Sequence, residues 1–225
     1  MEAKFRSLGQ RGDITKTMHR LLRKAGIDRP VGSFAMFDPA KPNNRIVGRV
    51  AGLGLTDEIN DRHYVIVDGV DGKVHYAEVG HVRPEFVPDK GMIVVIENVA
   101  SDGGEKKRTR LRILSHQNLE KLAGAEGATW LDKELISKST ERLIQTGFGS
   151  DVGTAIACRR QWLVSQGLGT MNSSNTLQAQ PRMLEQLRQR GLRQAGQVLA
   201  KELGLSSAHV MEGKRIDGTV QGKTA

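Results

Sequence analysis

Apolar positions recur with a helical period at the start of the chain, with a strand period through its middle, and with a helical period again after residue 115. In "GDITKTMHRLLRKAGIDRP", Ile14, Met18, Leu21, Leu22 and Ala25 fall on one face, the repeat of an amphipathic helix. Asp13 is placed to cap its first turn. Gly26 suits the C′ position that ends a helix, and Pro30 prevents continuation. The opposite face carries Lys16, Arg20, Arg23 and Lys24.

From Val31 the pattern changes to short runs divided by turns: 31–37, 44–55, 62–69, 73–79, 91–99 and 107–115. Five or six strands with no helical stretch between them predict a small antiparallel barrel or a curled sheet. The clearest hairpin is "RHYVIVDGVDGKVHYAEVG", residues 62–80, where Asp68-Gly69 and Asp71-Gly72 supply turn residues that tolerate positive φ. Alternation sends His63, Val65 and Val67 to one face and Tyr64, Ile66 and Asp68 to the other.

Helical spacing returns after "LSHQNLEKLAGAEGA". Thr129 is a candidate N-cap for "TWLDKELIS", and 149–168 is helical with Val152, Ile156 and Leu163 near one face and an end at Gly167. "GTMNSSNTLQAQ" (169–180) has the pattern of a short β-wing. A last helix runs from Pro181 to Gly204 along an apolar stripe of Leu184, Leu187, Leu192, Ala195, Val198, Leu199 and Leu203. Short helix, two helices, hairpin and helix is the order of a winged helix-turn-helix. The expected fold class is therefore α+β, with an amphipathic helix (1–30), a small antiparallel β-barrel (31–115), a winged-helix-like helical domain (116–204) and a truncated strand-like tail (205–225).

Charge adds a direction. The net charge of +9 and the pI near 9.9 suggest a polyanionic partner, of which nucleic acid is the usual one. Residues 1–30 carry 8 basic and 3 acidic side chains, net +5, and residues 159–225 carry 10 and 4, net +6. Residues 31–100, with 7 and 10, are net −3. A phosphate-binding surface is thus expected on the basic flanks. Mean hydropathy of -0.40 and the lack of a long apolar run or an apolar N-terminal segment predict a cytoplasmic chain with no membrane partner. The lone cysteine, Cys158, excludes an intramolecular disulfide and reads as a small buried hydrophobe.

Chemistry is harder to find. The six histidines, His19, His63, His75, His81, His116 and His209, form no H-x-H or H-E-x-x-H spacing, so no metal or cofactor is expected. A same-face pair of His63 and His75 remains open, and with it a metal-dependent nuclease. There is no G-x-S-x-G elbow, and "VAGLGL" lacks the remainder of a dinucleotide fingerprint. Cations are the richer signal. Lys106, Lys107, Arg108, Arg110 and Arg112 crowd one strand, the last three on one face; Arg159 and Arg160 lie on the candidate recognition helix. Arg182, Arg188, Arg190 and Arg193 follow on the last helix. The nucleic-acid-binding candidates are Arg20, Arg23, Lys24, Arg108, Arg110, Arg112, Arg159, Arg160, Arg190 and Arg193.

Several stretches, "RGDITKTMHRLL", "DRHYVIVDGVDGKVHYAEVG", "ATWLDKELIS", "GFGSDVGTAIACRRQWLVSQGL" and "MLEQLRQRGLRQAGQVLAKELGL", resemble the C-terminal region of conjugative relaxase/mobilisation nucleases, a domain of unknown function that follows the nuclease domain. The likeness runs in one order over nearly the whole chain. Relaxases of this kind nick DNA with a tyrosine and a histidine-held metal in an N-terminal domain, and those motifs match nothing here. The resemblance implies a fragment or truncated homologue with no relaxase catalytic residue and no enzymatic role. It implies an accessory module that binds plasmid or integrative-element DNA, or one that docks a relaxase to relaxosome or secretion-channel proteins.

Overall fold

A computed structural model describes residues 2–57, 61–101, 104–137 and 145–204, and side chains for these except 2–11, 57, 100–101 and 104–107. The fold is α+β: a six-stranded sheet with five α-helices and a separate two-stranded hairpin. Helix α1 (Glu2–Ala25) leads into β1 (Phe34–Met36), β2 (Arg45–Asp57), β3 (Arg62–Gly69), β4 (Val74–Gly80), β5 (Ile93–Ser101) and β6 (Gly104–Ser115). Then come α2 (Leu119–Ala123), α3 (Trp130–Ser137), α4 (Phe148–Ser165), the hairpin β7 (Gly169–Met171) and β8 (Leu177–Ala179), and α5 (Met183–Glu202).

The strand order is β1-β4-β3-β2-β5-β6, antiparallel throughout except for the parallel β1–β4 pair. The expected barrel is not closed. Strands β4 and β6 come within 8 Å between Cα atoms in places, yet among the described residues no backbone ladder joins them. The sheet is a curled, open one, with a seam where a barrel would seal.

Alternation along each strand separates two cores. Inside the curl, Ile46, Val50, Val65, Val67, Ala77, Val94 and Ile96 pack together with Phe37. The outer face is covered in two places. Met18 and Leu22 of α1 lie on Ala51, Ile66, Val74 and Tyr76. Helices α2, α3 and α4 place Leu122, Leu131, Phe148 and Val152 on Val47, Val70, Ile93 and Val95. Because helices cap the outer face, the central strands are buried on both sides, and Val65, Ile66, Val67 and Asp68 are all fully enclosed.

A buried charge in such a strand needs partners. Asp68 has them: Arg29 donates from Nε (3.0 Å) and from Nη2 (2.9 and 3.0 Å) to its two oxygens. Arg49 donates from Nη2 at 3.2 Å. Arg49 also sits 5.1 Å over the Phe148 ring and 3.8 Å from Asp151, both at the start of α4. Gly147, just before α4, has φ +61, and a Cβ there would fall 1.7 Å from Arg29 Nη2. One carboxylate thus ties the segment after α1, strands β2 and β3, and the α4 start.

The second buried pair corrects an expectation. Arg159, anticipated on a DNA-facing surface, is fully buried against fully buried Asp132, with Nε 2.8 Å from Oδ1 and Nη2 3.0 Å from Oδ2. Its Nη1 donates to the Ala125 carbonyl, and its guanidinium lies 4.3 Å from the Trp162 ring. Asp132 also accepts from Thr129 N and Oγ1 at 2.7 and 2.8 Å, so the expected Thr129 cap is reciprocated by the acid three residues on. Arg159 is a bolt between α3 and α4 and has no face left for phosphate.

Element ends show smaller differences. Helix α1 begins at Glu2, so Asp13 is mid-helix, in an exposed 4.0 Å contact with Lys16. Its end is as expected: Gly26 has φ +69, with Gly26 N donating to Arg23 O and Ile27 N to Leu22 O, the Schellman pattern. Helix α5 starts at Met183 rather than at Pro181, and of its anticipated stripe Leu187 is buried while Leu192, Val198, Leu199 and Leu203 are exposed. Cys158 is exposed, not packed in the core. The tail 205–225 lies outside the described residues.

The described chain forms two compact units. Of the described residues, those within 2–125 and 129–181 form one, so the sheet, α1 and α2–α4 belong together; 126–128 and 182–204 form the other, which contains α5. Among the described residues no helix is long and apolar enough to cross a membrane.

Two stability outcomes follow from these pairs. Asp68→Ala leaves two arginines without their buried counter-charge and should cost about 3–5 kcal/mol. A urea midpoint unchanged by that substitution would contradict a binding role for Asp68 in the fold. Arg159→Ala should cost about as much, and the double replacement Asp132→Leu with Arg159→Met should recover most of the loss. Equal destabilisation by the single and double variants would contradict the pairing.

Candidate nucleic-acid interface

The cationic residues divide by what the fold does with them. On α1, burying Met18 and Leu22 against the sheet turns Lys16, Arg20, Arg23 and Lys24 to solvent, and all four are exposed. They recur at intervals of four, three and one residues, one face of a helix. Together with His19, Thr15 and Val31 they line a shallow hollow of about 520 Å³. At the end of the helix, Lys90 Nζ donates to the Lys24 carbonyl oxygen.

On β6, Arg108, Arg110 and Arg112 are exposed and alternate with half-buried Thr109, Leu111 and Ile113. Strand β6 is an edge strand, so this row of cations also deters edge-to-edge pairing. Glu97 on β5 lies 3.9 Å from Arg110 and 3.6 Å from Arg112, which partly offsets their charge. Lys106 and Lys107 fall outside the described side chains.

In the helical region the picture differs. Arg160 is half-buried, and its Nη1 donates to the Asn175 carbonyl in the β7–β8 turn. It fixes the hairpin against α4. On α5, Arg193 is exposed, Arg190 is half-buried and Arg188 sits 3.6 Å from Glu185. Of the ten anticipated positions, the fold brings Arg20, Arg23 and Lys24 into one patch and Arg108, Arg110 and Arg112 into another. It removes Arg159 to the interior.

The His-Tyr pairs are split across the sheet. Tyr64 and Tyr76 stack on the outer face with ring centroids 4.9 Å apart. Burial raises the Tyr76 pKa above its ordinary value, against a smaller lowering from its hydrogen bond to Thr56, so a phenolate is disfavoured there. His63 pairs with Gly80 and His75 with Val67. That register leaves the imidazoles four residues apart along β3, about 13 Å by the strand rise. They do not share a ligand. Among the described residues no three His, Cys, Asp or Glu side chains are grouped to hold a metal.

His75 instead closes the hairpin. Its Nε2 is 3.0 Å from both oxygens of Asp71; a carboxylate only accepts, so this nitrogen carries the proton. Burial by itself would raise the Asp71 pKa. The His75 hydrogen bond and charge, with the Lys73 backbone N–H and charge, outweigh it and hold the carboxyl below its usual range. Sequence reasoning passed over this clamp, although an Asp and a His four residues apart, with Gly72 between them, was the available signal.

A carboxyl whose folded pKa is depressed stabilises the protein fully above its unfolded pKa of about 3.9 and loses that contribution as pH falls through the lower folded value. Wild type should therefore be more stable than Asp71→Asn near neutrality, with the difference shrinking below about pH 4. A difference that stays constant through acid unfolding would contradict the ion pair.

No curated protein and no solved structure matches the chain. A family model described as a protein of unknown function (DUF3363) matches residues 1–109 and 99–225, which together span the whole sequence. The chain belongs to the DUF3363 family.

Proposed function

We propose that this chain is a non-catalytic accessory module of a conjugative relaxase or mobilisation protein, binding transfer DNA through phosphate contacts. The observation that carries the reading is the α1 face. Lys16, Arg20, Arg23 and Lys24 are all exposed on one stripe, with Asp13 the nearby acid at 4.0 Å from Lys16. Surface pairs of that kind contribute about 0–1 kcal/mol, so phosphate oxygens compete for these cations at little cost. The β6 arginines extend the basic surface, and the likeness to relaxase C-terminal regions supplies the biological setting.

The winged-helix reading fits the order α2, α3, α4, hairpin, α5. Its DNA contact would rest on the hairpin, because Arg159 is internal and Arg160 braces the turn. The competing reading is a module that docks a relaxase to relaxosome or secretion-channel proteins through the acidic β-region. The exposed Leu192, Val198, Leu199 and Leu203 of α5 favour a protein partner as well.

Replacing Lys16, Arg20, Arg23 and Lys24 together by alanine separates the two. On the DNA reading, fluorescence anisotropy should show affinity for a DNA fragment falling, and the slope of log affinity against log salt losing about 0.7–0.9 per phosphate contact removed. Pull-down of protein partners should be unaffected. Unchanged DNA affinity in that variant, with its folding intact, contradicts the proposal.

A further inference from the structure

We propose that the open seam of the sheet is a groove for single-stranded nucleic acid, continued onto the basic face of α1. This rests on the DNA-binding reading and narrows it to unpaired strands. Strand β1 pairs with β4 only over Phe34–Met36 and Val74–Tyr76, so the rest of β4 faces β6 with no ladder between them. There the surface opens into a groove of about 700 Å³.

Its lining mixes arginines with apolar side chains. Arg62 stands on one side and Arg108 and Arg110 on the other, with Met36, Val79 and Val99 between. Glu78 is the lining carboxylate, 3.9 Å from Arg62, and both ends of that pair are about half exposed. His81 also lines the groove but is held by Asp61 at 3.1 Å. Arg110 is likewise matched by Glu97 at 3.9 Å, so Arg62 and Arg110 each have a carboxylate within loose ion-pair reach. Contacts as long and exposed as these hold little energy, and an arginine fork binds a phosphate with two donors. Met36, 51 % exposed, offers a polarisable apolar surface on which a base can lie.

The groove does not stop at the seam. Met36 also lines a hollow of about 300 Å³ with Ile14, Thr15 and Phe34. Thr15 in turn lines the hollow beside Lys16, Arg20, Arg23 and Lys24. Met36 and then Thr15 are each shared between neighbouring depressions, which places the three in a row with cations at both ends and apolar side chains in the middle. A track that turns around edge strand β1 suits a flexible polyanion. Duplex DNA, with a persistence length of about 150 base pairs, cannot follow it, and its bases are stacked away from Met36. A short acidic peptide could satisfy the seam arginines but has no cause to extend to α1.

The test compares an oligothymidylate of about twelve nucleotides with a duplex of equal length, by anisotropy at low salt. Wild type should prefer the single strand. Met36→Glu, and separately the pair Arg62→Ala with Arg110→Ala, should each weaken single-strand binding about tenfold or more and abolish the wild-type preference for the single strand. Both variants alter exposed side chains, and circular dichroism verifies their folding. Wild type binding the duplex as tightly as the single strand, or seam variants leaving oligothymidylate affinity unchanged, overturns the groove while the DNA-binding reading survives. Binding to neither oligonucleotide overturns both. Seam-dependent binding of a polyglutamate peptide without oligothymidylate binding assigns the seam to an acidic protein segment instead, and also overturns the proposal.

Discussion

Asp68 is the constraint on which the rest of this structure depends. It stands in a central strand with helices over one face and the curled core behind the other, where an uncompensated carboxylate would be untenable. Arg29 and Arg49 make it tenable, and the contacts they bring fix the approach of the chain after α1 and the start of α4. Gly147 is part of the same constraint, since any side chain there would occupy the place of the Arg29 guanidinium. With the segment after α1 pinned, Met18 and Leu22 meet the sheet and the basic face of the helix points outward. The packing that buries one stripe of α1 presents the other.

Much of the fold was legible because its local signals agree. Strand β3 occupies 62–69 as its alternation predicts, and β4 starts one residue later than anticipated at Val74. Gly26 and Gly167 end their helices with positive φ, as their positions after apolar periodic runs require. The order of helices and hairpin after β6 was read correctly as well. Openness of the sheet was not legible: whether β4 and β6 pair depends on curvature and on the short reach of β1, and no local pattern encodes either.

The candidate site was legible in part, for a related reason. Exposed cations on α1 and β6 follow from periodicity, since each alternates with residues that must be buried. Arg159 misled because a charged side chain was assumed to be solvated. Its spacing argued otherwise: Val152, Ala155, Arg159 and Leu163 form the buried stripe of α4, and Arg159 occupies a core position in it. A charge at a core position implies a buried partner, but sequence alone did not name Asp132. Arg29, likewise, carries no local signal of its partner across the sheet. Long-range pairs of this kind are settled by tertiary packing, which is why the two ion pairs that organise the unit were the least visible features of the chain.

On the proposed reading, the basic surface of this unit engages nucleic acid through phosphates. The most direct test is a salt series on the wild-type protein, with anisotropy of labelled DNA measured from about 50 to 200 mM salt. Binding is expected at the low end, with a linear fall of log affinity with log salt steep enough to report several phosphate contacts. No binding at about 50 mM, or an affinity indifferent to salt, would contradict it.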